Sequence, residues 1–309
     1  MLLIISSLAC FIISYACVDF VRALALKRRI LDIPNERSSH TQPTPRGGGI
    51  AIVLSFLLLV GVLRFFQNSL ISNQWLLTLF LGGGGIALAG WLDDCYKLSA
   101  KLRLLIHFVA SALAAYLLIP AGTSIFFIFF AILWVSWAVN FFNFMDGIDG
   151  LAASEAVLVG IGGACISMKF GLNTPVAISL LISSGSLGFL FWNWPPAIIF
   201  MGDAGSGFLG YVFGCLSIAS GWGFKGSFGT WLILLGLFFF DSTFTLLRRI
   251  NKNEKFWEPH KSHLYQRALL SGFSHKQIVC VFVFGNFLLF SPRSFHFPSY
   301  GLSSRFFSS

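Results

Sequence analysis

The sequence predicts an all-α polytopic membrane protein with about ten transmembrane helices. Of its 309 residues, 56% are hydrophobic and only 11% charged, with 36 Phe and 9 Trp. A soluble domain carries roughly 25% charged residues. Apolar runs recur at spanning length, which takes about 20 residues. Lys and Arg concentrate in alternate loops, as cytoplasmic loops of membrane proteins require. The net charge of +9 therefore follows from topology and is no nucleic-acid footprint.

The apolar runs fall at 2–24, 48–65, 76–91, 102–118, 125–142, 151–167, 176–192, 206–220 and 230–247, and a further run starts at Ile278. The chain is apolar from Met1 and lacks a basic leader, so the first run reads as a spanning helix rather than a cleaved signal. The first, third, fifth, seventh and ninth loops hold most of the Lys and Arg. The even loops, near 67–75, 120–122, 169–174 and 221–229, are short. The positive-inside rule puts the odd loops in the cytoplasm and the N-terminus in the periplasm. The six cysteines are scattered, with no CxxC or Cys/His cluster, so neither a disulfide framework nor a zinc site is indicated. Residues 1–290 read as one integral-membrane domain. The last run stops after about 13 residues, short of a span. Residues 291–309, rich in Ser, Phe and Pro, read as an atypical tail, truncated or frameshifted, with native disorder as the milder alternative.

That topology gathers Asp93, Asp94, Asp146, Asp149 and Asp203 on the cytoplasmic face, with His40, His260 and His263. Asn140, Asn143, Asp146 and Asp149 recur every third residue, which predicts a polar strip on a helix that Gly147 and Gly150 loosen. An unpaired buried charge costs several kcal/mol, so a cation is expected to meet them. Solvated loops would account for charges in general. The fifth and seventh loops, however, carry no Lys or Arg, only Asp, Asn and Gly among their polar groups.

The other loops offer chemistry of the same kind. Asp93 and Asp94, at a helix end, can reach one cleft as base or cation ligand. Lys97 can pair with either or hold a phosphate; a helix-capping acid pair with a salt-bridged Lys is the plainer alternative. Arg37 and Arg46 flank prolines and precede Gly47 to Gly49, a combination suited to phosphate or to anionic headgroups. The seventh loop runs from Asn193 to Gly205, and its Asp203 also suits a helix N-cap. Residues 205–210 match GxGxxG, but no strand–helix–strand unit surrounds them, so these glycines read as helix packing. In the ninth loop, His260, Lys261, His263 and Arg267 favour phosphate or sugar contacts over a metal pair. His107 reads as a packing residue. Asp241, an acid inside a span, is functional by default and can orient a cytoplasmic neighbour.

The ordered set Asp93-Asp94-x-x-Lys97, Asn140-x-x-Asn143-x-x-Asp146-Gly-x-Asp149-Gly-Leu, Phe200-Met201-Gly202-Asp203-x-Gly205-Ser206 and the His260/His263 loop resembles the polyprenyl-phosphate N-acetylhexosamine-1-phosphate transferases. The resemblance runs from about Asn35 to Lys276. The Pro259 to Arg267 segment departs from the three-histidine run of the muramoyl-pentapeptide enzymes and looks closer to the O-antigen-initiating branch. The tail after Phe290 matches no member.

The resemblance implies that a UDP-N-acetylhexosamine and undecaprenyl phosphate give undecaprenyl-diphospho-sugar and UMP at the bacterial inner membrane, with Mg2+ or alternatively Mn2+. It implies Asp203 as a metal ligand, with Asp94 or Asp149 nearby, and Asp93 as base or acceptor-phosphate positioner. Asn143, Asp146 and Asp149 would shape the nucleotide–metal cleft. Lys97, Arg46, Asn193, His260, His263 and Arg267 would bind substrate. No nucleic-acid partner is expected, and a homodimer is allowed. A transporter or flippase is the alternative, but its ionisable sites would sit near the bilayer midplane. A phosphatidyltransferase would carry a different paired-Asp motif.

Overall fold

In lipid, long apolar runs have no hydrogen-bond partner for their backbone but the backbone itself, so they form helices. The computed structural model describes residues 1–34, 42–221, 227–254 and 261–290. Arg37, His40, His260 and the tail 291–309 lie outside the described residues.

Helix α1 (Leu2–Arg28) is followed by a minimal antiparallel pair, β1 (Leu31–Asp32) and β2 (Thr44–Pro45). Next come α2 (Ile50–Phe66) and α3 (Asn73–Leu77), which runs through a π-helical turn at Thr78–Gly83 into α4 (Gly84–Tyr96). Then follow α5 (Ala100–Leu118), α6 (Ile125–Met145), α7 (Leu151–Lys169), α8 (Asn173–Asn193) and α9 (Asp203–Gly221). The chain continues with α10 (Ser227–Leu234), α11 (Gly236–Asn251), α12 (Leu264–Leu270) and α13 (His275–Leu289). Among the described residues β1 and β2 are the only strands.

Among the described residues, six helices are long and apolar enough to cross a membrane: α1, the continuous Asn73–Tyr96 unit, α5, α6, α7 and α8. The pair α10 and α11, bent by 78°, makes seven if it forms one broken span. Against the expectation of about ten, α2 and α13 are apolar but shorter.

Helices α7 and α8 pack on each other at the centre; α1 and α2 lie on α8, and α4 and α6 flank α9. Phe142, Phe189, Phe208, Tyr211 and Phe213 on these helices are fully buried, as is Trp231 on α10. Many contacts run through small residues, as the packing reading of the glycines requires. A Cβ on Gly210 would strike the backbone of Ala138 in α6.

Two ends of the bundle are defined by hydrogen bonds between loops. At one end, Gly48 and Gly49 donate to the carbonyls of Phe200 and Met201 at 2.9 and 2.8 Å. At the other, the Thr174 hydroxyl, at the start of α8, donates to the Leu70 carbonyl at 2.5 Å. Helix α2 therefore joins the same two ends as α8, although it has only 17 residues.

The Asn140–Leu151 stretch corrects the sequence reading. It is not one loosened helix: α6 stops at Met145, Asp146 is its C-cap, and α7 starts at Leu151 after Gly150 in a left-handed conformation (φ 75°). The two amides stay on α6, while Asp146 and Asp149 lie in the turn beyond it. Asn140 turns toward α5, with its amide nitrogen 2.7 Å from the Ser136 carbonyl and 3.4 Å from His107 Nδ1.

Candidate active site

The site is built where the first loop lies against the turn before α9. The backbone pairing of Pro45, Gly48 and Gly49 with Phe200 and Met201 delivers Arg46 to Asp203, the first residue of α9. The close approach needs glycine on both sides: a Cβ on Gly49 or Gly205 would strike the other's backbone. Gly90 on α4 likewise faces the Asp203 backbone, so α4 brings Asp93 and Asp94 alongside.

Two arginines bind these carboxylates together. Arg46 places Nε 2.8 Å from Asp94 Oδ1 and Nη2 2.6 Å from Asp203 Oδ1. Arg103, on α5, places Nη1 2.7 Å from Asp93 Oδ2 and 2.9 Å from Asp203 Oδ2. Asp93 Oδ1 accepts the Leu98 N–H at 2.6 Å. Asp94 Oδ1 also accepts the Asp203 N–H at 3.2 Å and so caps α9 from another helix. Asp94 Oδ2 is buried without a hydrogen-bond partner. Three carboxylates, Asp93, Asp94 and Asp203, thus share the two guanidinium groups of Arg46 and Arg103.

The surroundings set protonation. Burial would raise the Asp203 carboxyl, but Arg46, a hydrogen bond with Asp93, Arg103 and Asn143 outweigh it and hold the carboxyl below its ordinary value. Burial would lower Arg46, yet Asp94 and Asp203 raise it, so it stays charged. Asp146 is pushed well above the carboxylate range by burial, opposed by Arg46 and reinforced by Asp203, Asp94 and Asp149. Asn143 closes this side, donating to the Ser206 hydroxyl at 3.2 Å.

The remaining predicted residues sit elsewhere. Asp149 Oδ2 accepts the Ala197 N–H at 3.0 Å and lies 3.2 Å from His275 Nδ1. Asn193 is buried and spends both ends of its amide on backbone, accepting from Gly150 at 2.9 Å and donating to Ile199 at 3.0 Å. It braces two loops rather than facing a ligand. His263 is also buried, 3.4 Å from Asp241, stacked with Tyr265 and near Phe144. Asp241 accepts the N–H groups of Leu264 and Tyr265 at 2.9 and 3.4 Å, which fastens the start of α12. Lys97 and Arg267 are exposed. The carboxylates expected to pair with Lys97 are bound by Arg46 and Arg103 instead.

Sequence reasoning missed Arg103 and His275 as site residues. Arg103 had one signal, an arginine at the interfacial start of a span ten residues after Asp93. His275 had none beyond its place at a helix start.

Among the described residues, no group of three or more His, Cys, Asp or Glu is disposed to hold a metal. Mg2+ does not need one: it usually takes one or two carboxylates and fills its octahedron with water and substrate phosphate. The unpartnered Asp94 Oδ2 and the ionised Asp203 fit such an ion.

The profile of glycosyl transferase family 4 matches residues 76–221 of the chain. A probable undecaprenyl-phosphate N-acetylglucosaminyl 1-phosphate transferase of Bacillus subtilis is 32% identical over 84% of this chain and 75% of its own length. The undecaprenyl-phosphate alpha-N-acetylglucosaminyl 1-phosphate transferase of Thermotoga maritima is 29% identical over 84% and 80%. A decaprenyl-phosphate N-acetylglucosaminephosphotransferase of Mycolicibacterium smegmatis is 27% identical over 87% and 75%.

Proposed function

The chain belongs to glycosyl transferase family 4, and from that premise we propose that it moves an N-acetylhexosamine-1-phosphate from a UDP-sugar to undecaprenyl phosphate. The products are undecaprenyl-diphospho-sugar and UMP. The reaction runs at the cytoplasmic face of the bacterial inner membrane, with the N-terminus periplasmic and about ten spans. It starts an O-antigen or another cell-envelope polysaccharide. The names of the relatives favour GlcNAc as the sugar.

The observation that carries this reading is the Asp93–Asp94–Asp203 cluster bridged by Arg46 and Arg103 at one end of the bundle. Donor and acceptor are both phosphate anions that repel each other. Arg46 and Arg103 are fork-shaped donors suited to phosphate oxygens. Asp94 and Asp203 would hold Mg2+, which when bound offsets phosphate charge and stabilises the leaving UMP. Asp93, fixed by Arg103 and the Leu98 amide, positions the acceptor phosphate. An acceptor phosphate oxygen bonds to the sugar-linked phosphorus, and the pyrophosphate bond to UMP breaks. A phosphate is already a nucleophile, so no enzyme-bound intermediate is needed. Asn143 steadies Asp203, and exposed Lys97 and Arg267 are available to donor phosphates.

The transporter alternative loses support from the intramembrane groups. Asp241 is spent on the start of α12, and His107 meets Asn140. The test uses purified protein, UDP-GlcNAc, undecaprenyl phosphate and Mg2+. The expected result is UMP and labelled lipid in equal amounts, with Asp203→Ala reducing turnover by about 100-fold or more. Absence of UMP with a panel of UDP-N-acetylhexosamines would overturn the reading.

A further inference from the structure

Helix α13 starts at His275, and the His275 ring reaches the turn between α6 and α7. Its Nδ1 lies 3.3 Å from the Asp149 backbone nitrogen, whose N–H points to it, and 3.2 Å from Asp149 Oδ2. That nitrogen accepts the main-chain N–H when the ring proton is on Nε2, and donates to the carboxylate when it is on Nδ1. From the opposite side, the Ala197 N–H reaches Oδ2 at 3.0 Å. Both side chains are largely buried, His275 at 16% and Asp149 at 12% exposure. Asp149 in turn acts by its charge on Asp146, which also feels Arg46, Asp94 and Asp203.

The helix that presents His275 is itself anchored beneath the turn. On α13, Asn286 donates to Glu155 Oε2 of α7 at 2.6 Å, and both residues are buried. Glu155 follows Asp149 by six positions on the same stretch of chain. The α7–α13 packing therefore fixes where His275 stands relative to Asp149. Tyr265 adds a second hold on the turn, donating from its hydroxyl to the Phe144 carbonyl at 3.0 Å.

We infer that His275 is a positioning residue for the transfer reaction: its Nδ1 holds Asp149, by the main-chain N–H or by the carboxylate according to where the ring carries its proton, and so sets the turn that carries Asp146 beside the Asp94–Asp203 cluster. The inference rests on the proposed function for its catalytic consequence and on the contact alone for its structural one. A partner that orients a working carboxylate typically changes activity by about 10–100-fold when removed.

Replacement by Asn and Gln separates the geometry from bulk. An Asn side chain can place a nitrogen or oxygen near the Nδ1 position, whereas Gln projects it further out. His275→Ala and His275→Gln are expected to lower kcat about 10–100-fold while the donor KM stays within about twofold. His275→Asn is expected to recover to within about threefold of the parent. A kcat for His275→Ala within twofold of the parent overturns the inference, as does equal loss in all three variants. A second readout needs no activity. In detergent, Asp149→Ala and His275→Ala should each lower Tm, and the double variant should fall by less than the two shifts combined. Additive shifts overturn the contact. A parent protein that releases no UMP, with non-additive Tm shifts, would instead sink the functional reading and leave His275 as the lock on Asp149.

Discussion

The two oxygens of Asp94 have different tasks. Oδ1 is shared by Arg46 and the first amide of α9, whereas Oδ2 is buried with no partner. Asp94→Asn keeps an oxygen for the cap but removes the charge, so folding should persist while Mg2+-dependent turnover falls by about 10–100-fold. Asp94→Ala also removes the cap and should cost about 0.5–2 kcal/mol of stability. Melting and UMP-release assays on both variants distinguish the roles. Asp146 and Asp203 give opposite pH signatures. Asp203 titrates below its ordinary value in the folded protein, so its contribution is present above the unfolded pKa and lost as pH falls through the folded one. Asp146 titrates well above its ordinary value, so its contribution is complete below the unfolded pKa and lost as pH rises through the folded one. In EDTA, Asp146→Asn should therefore gain Tm over the parent as pH climbs above the ordinary carboxylate range. An unchanged Tm difference across that range would show that Asp146 is ionised in the fold.

Among the elements, α4 and α9 meet most closely at Gly90, where a Cβ would strike the Asp203 and Ala204 backbone. Gly90→Ala must push the start of α9 away from Asp93 and Asp94, at a cost of about 1–3 kcal/mol. Gly84, on the same helix, has open space at its Cβ position. Gly84→Ala should be neutral or gain up to about 1 kcal/mol from helix propensity. Turnover should collapse in Gly90→Ala and persist in Gly84→Ala; equal behaviour would mean the α4–α9 distance does not matter. The sequence pointed to this site through Asp93, Asp94 and Asp203 because carboxylates in so apolar a chain stand out. It did not reveal which residues pair with them, since pairing depends on how helices pack and not on spacing along one helix. The three-residue spacing of Asn140 to Asp149 suggested a helix because neither Gly147 nor Gly150 must break one. The turn forms because Asp146 caps α6 and Gly150 takes a positive φ, with Asn193 and Tyr265 holding it from other helices. His263 looked like a ligand contact, yet it is buried 3.4 Å from Asp241, the intramembrane acid that the sequence marked as able to orient a cytoplasmic neighbour.

At the scale of the whole molecule, helix length and loop contacts give different views of the topology. Counting helices by length among the described residues gives six spans, or seven with the bent pair. The loop contacts add α2, because Gly49 is bonded to the turn before α9 while Leu70 is bonded to the start of α8. A 17-residue helix covers about 25 Å, close to the roughly 30 Å hydrocarbon thickness. The contacts therefore sort the loops around 46, 97, 146, 197 and 203 to one end, and those around 70 and 174 to the other. The first group is the one the charge pattern assigns to the cytoplasm. A UDP-sugar is a multiply charged cytoplasmic molecule, so the proposed reaction works only with this orientation. Single cysteines at Gln67 and Lys97, both exposed, test it in a cysteine-free background of the full chain. In intact spheroplasts a membrane-impermeant maleimide should label Gln67→Cys, and Lys97→Cys should react only after permeabilisation. The reverse pattern would place Asp93, Asp94 and Asp203 outside, where no UDP-sugar reaches them, and would remove the proposed function. Labelling of both from outside would mean that the Asn73–Tyr96 segment does not cross, and with it the grouping of loops into two ends would fail.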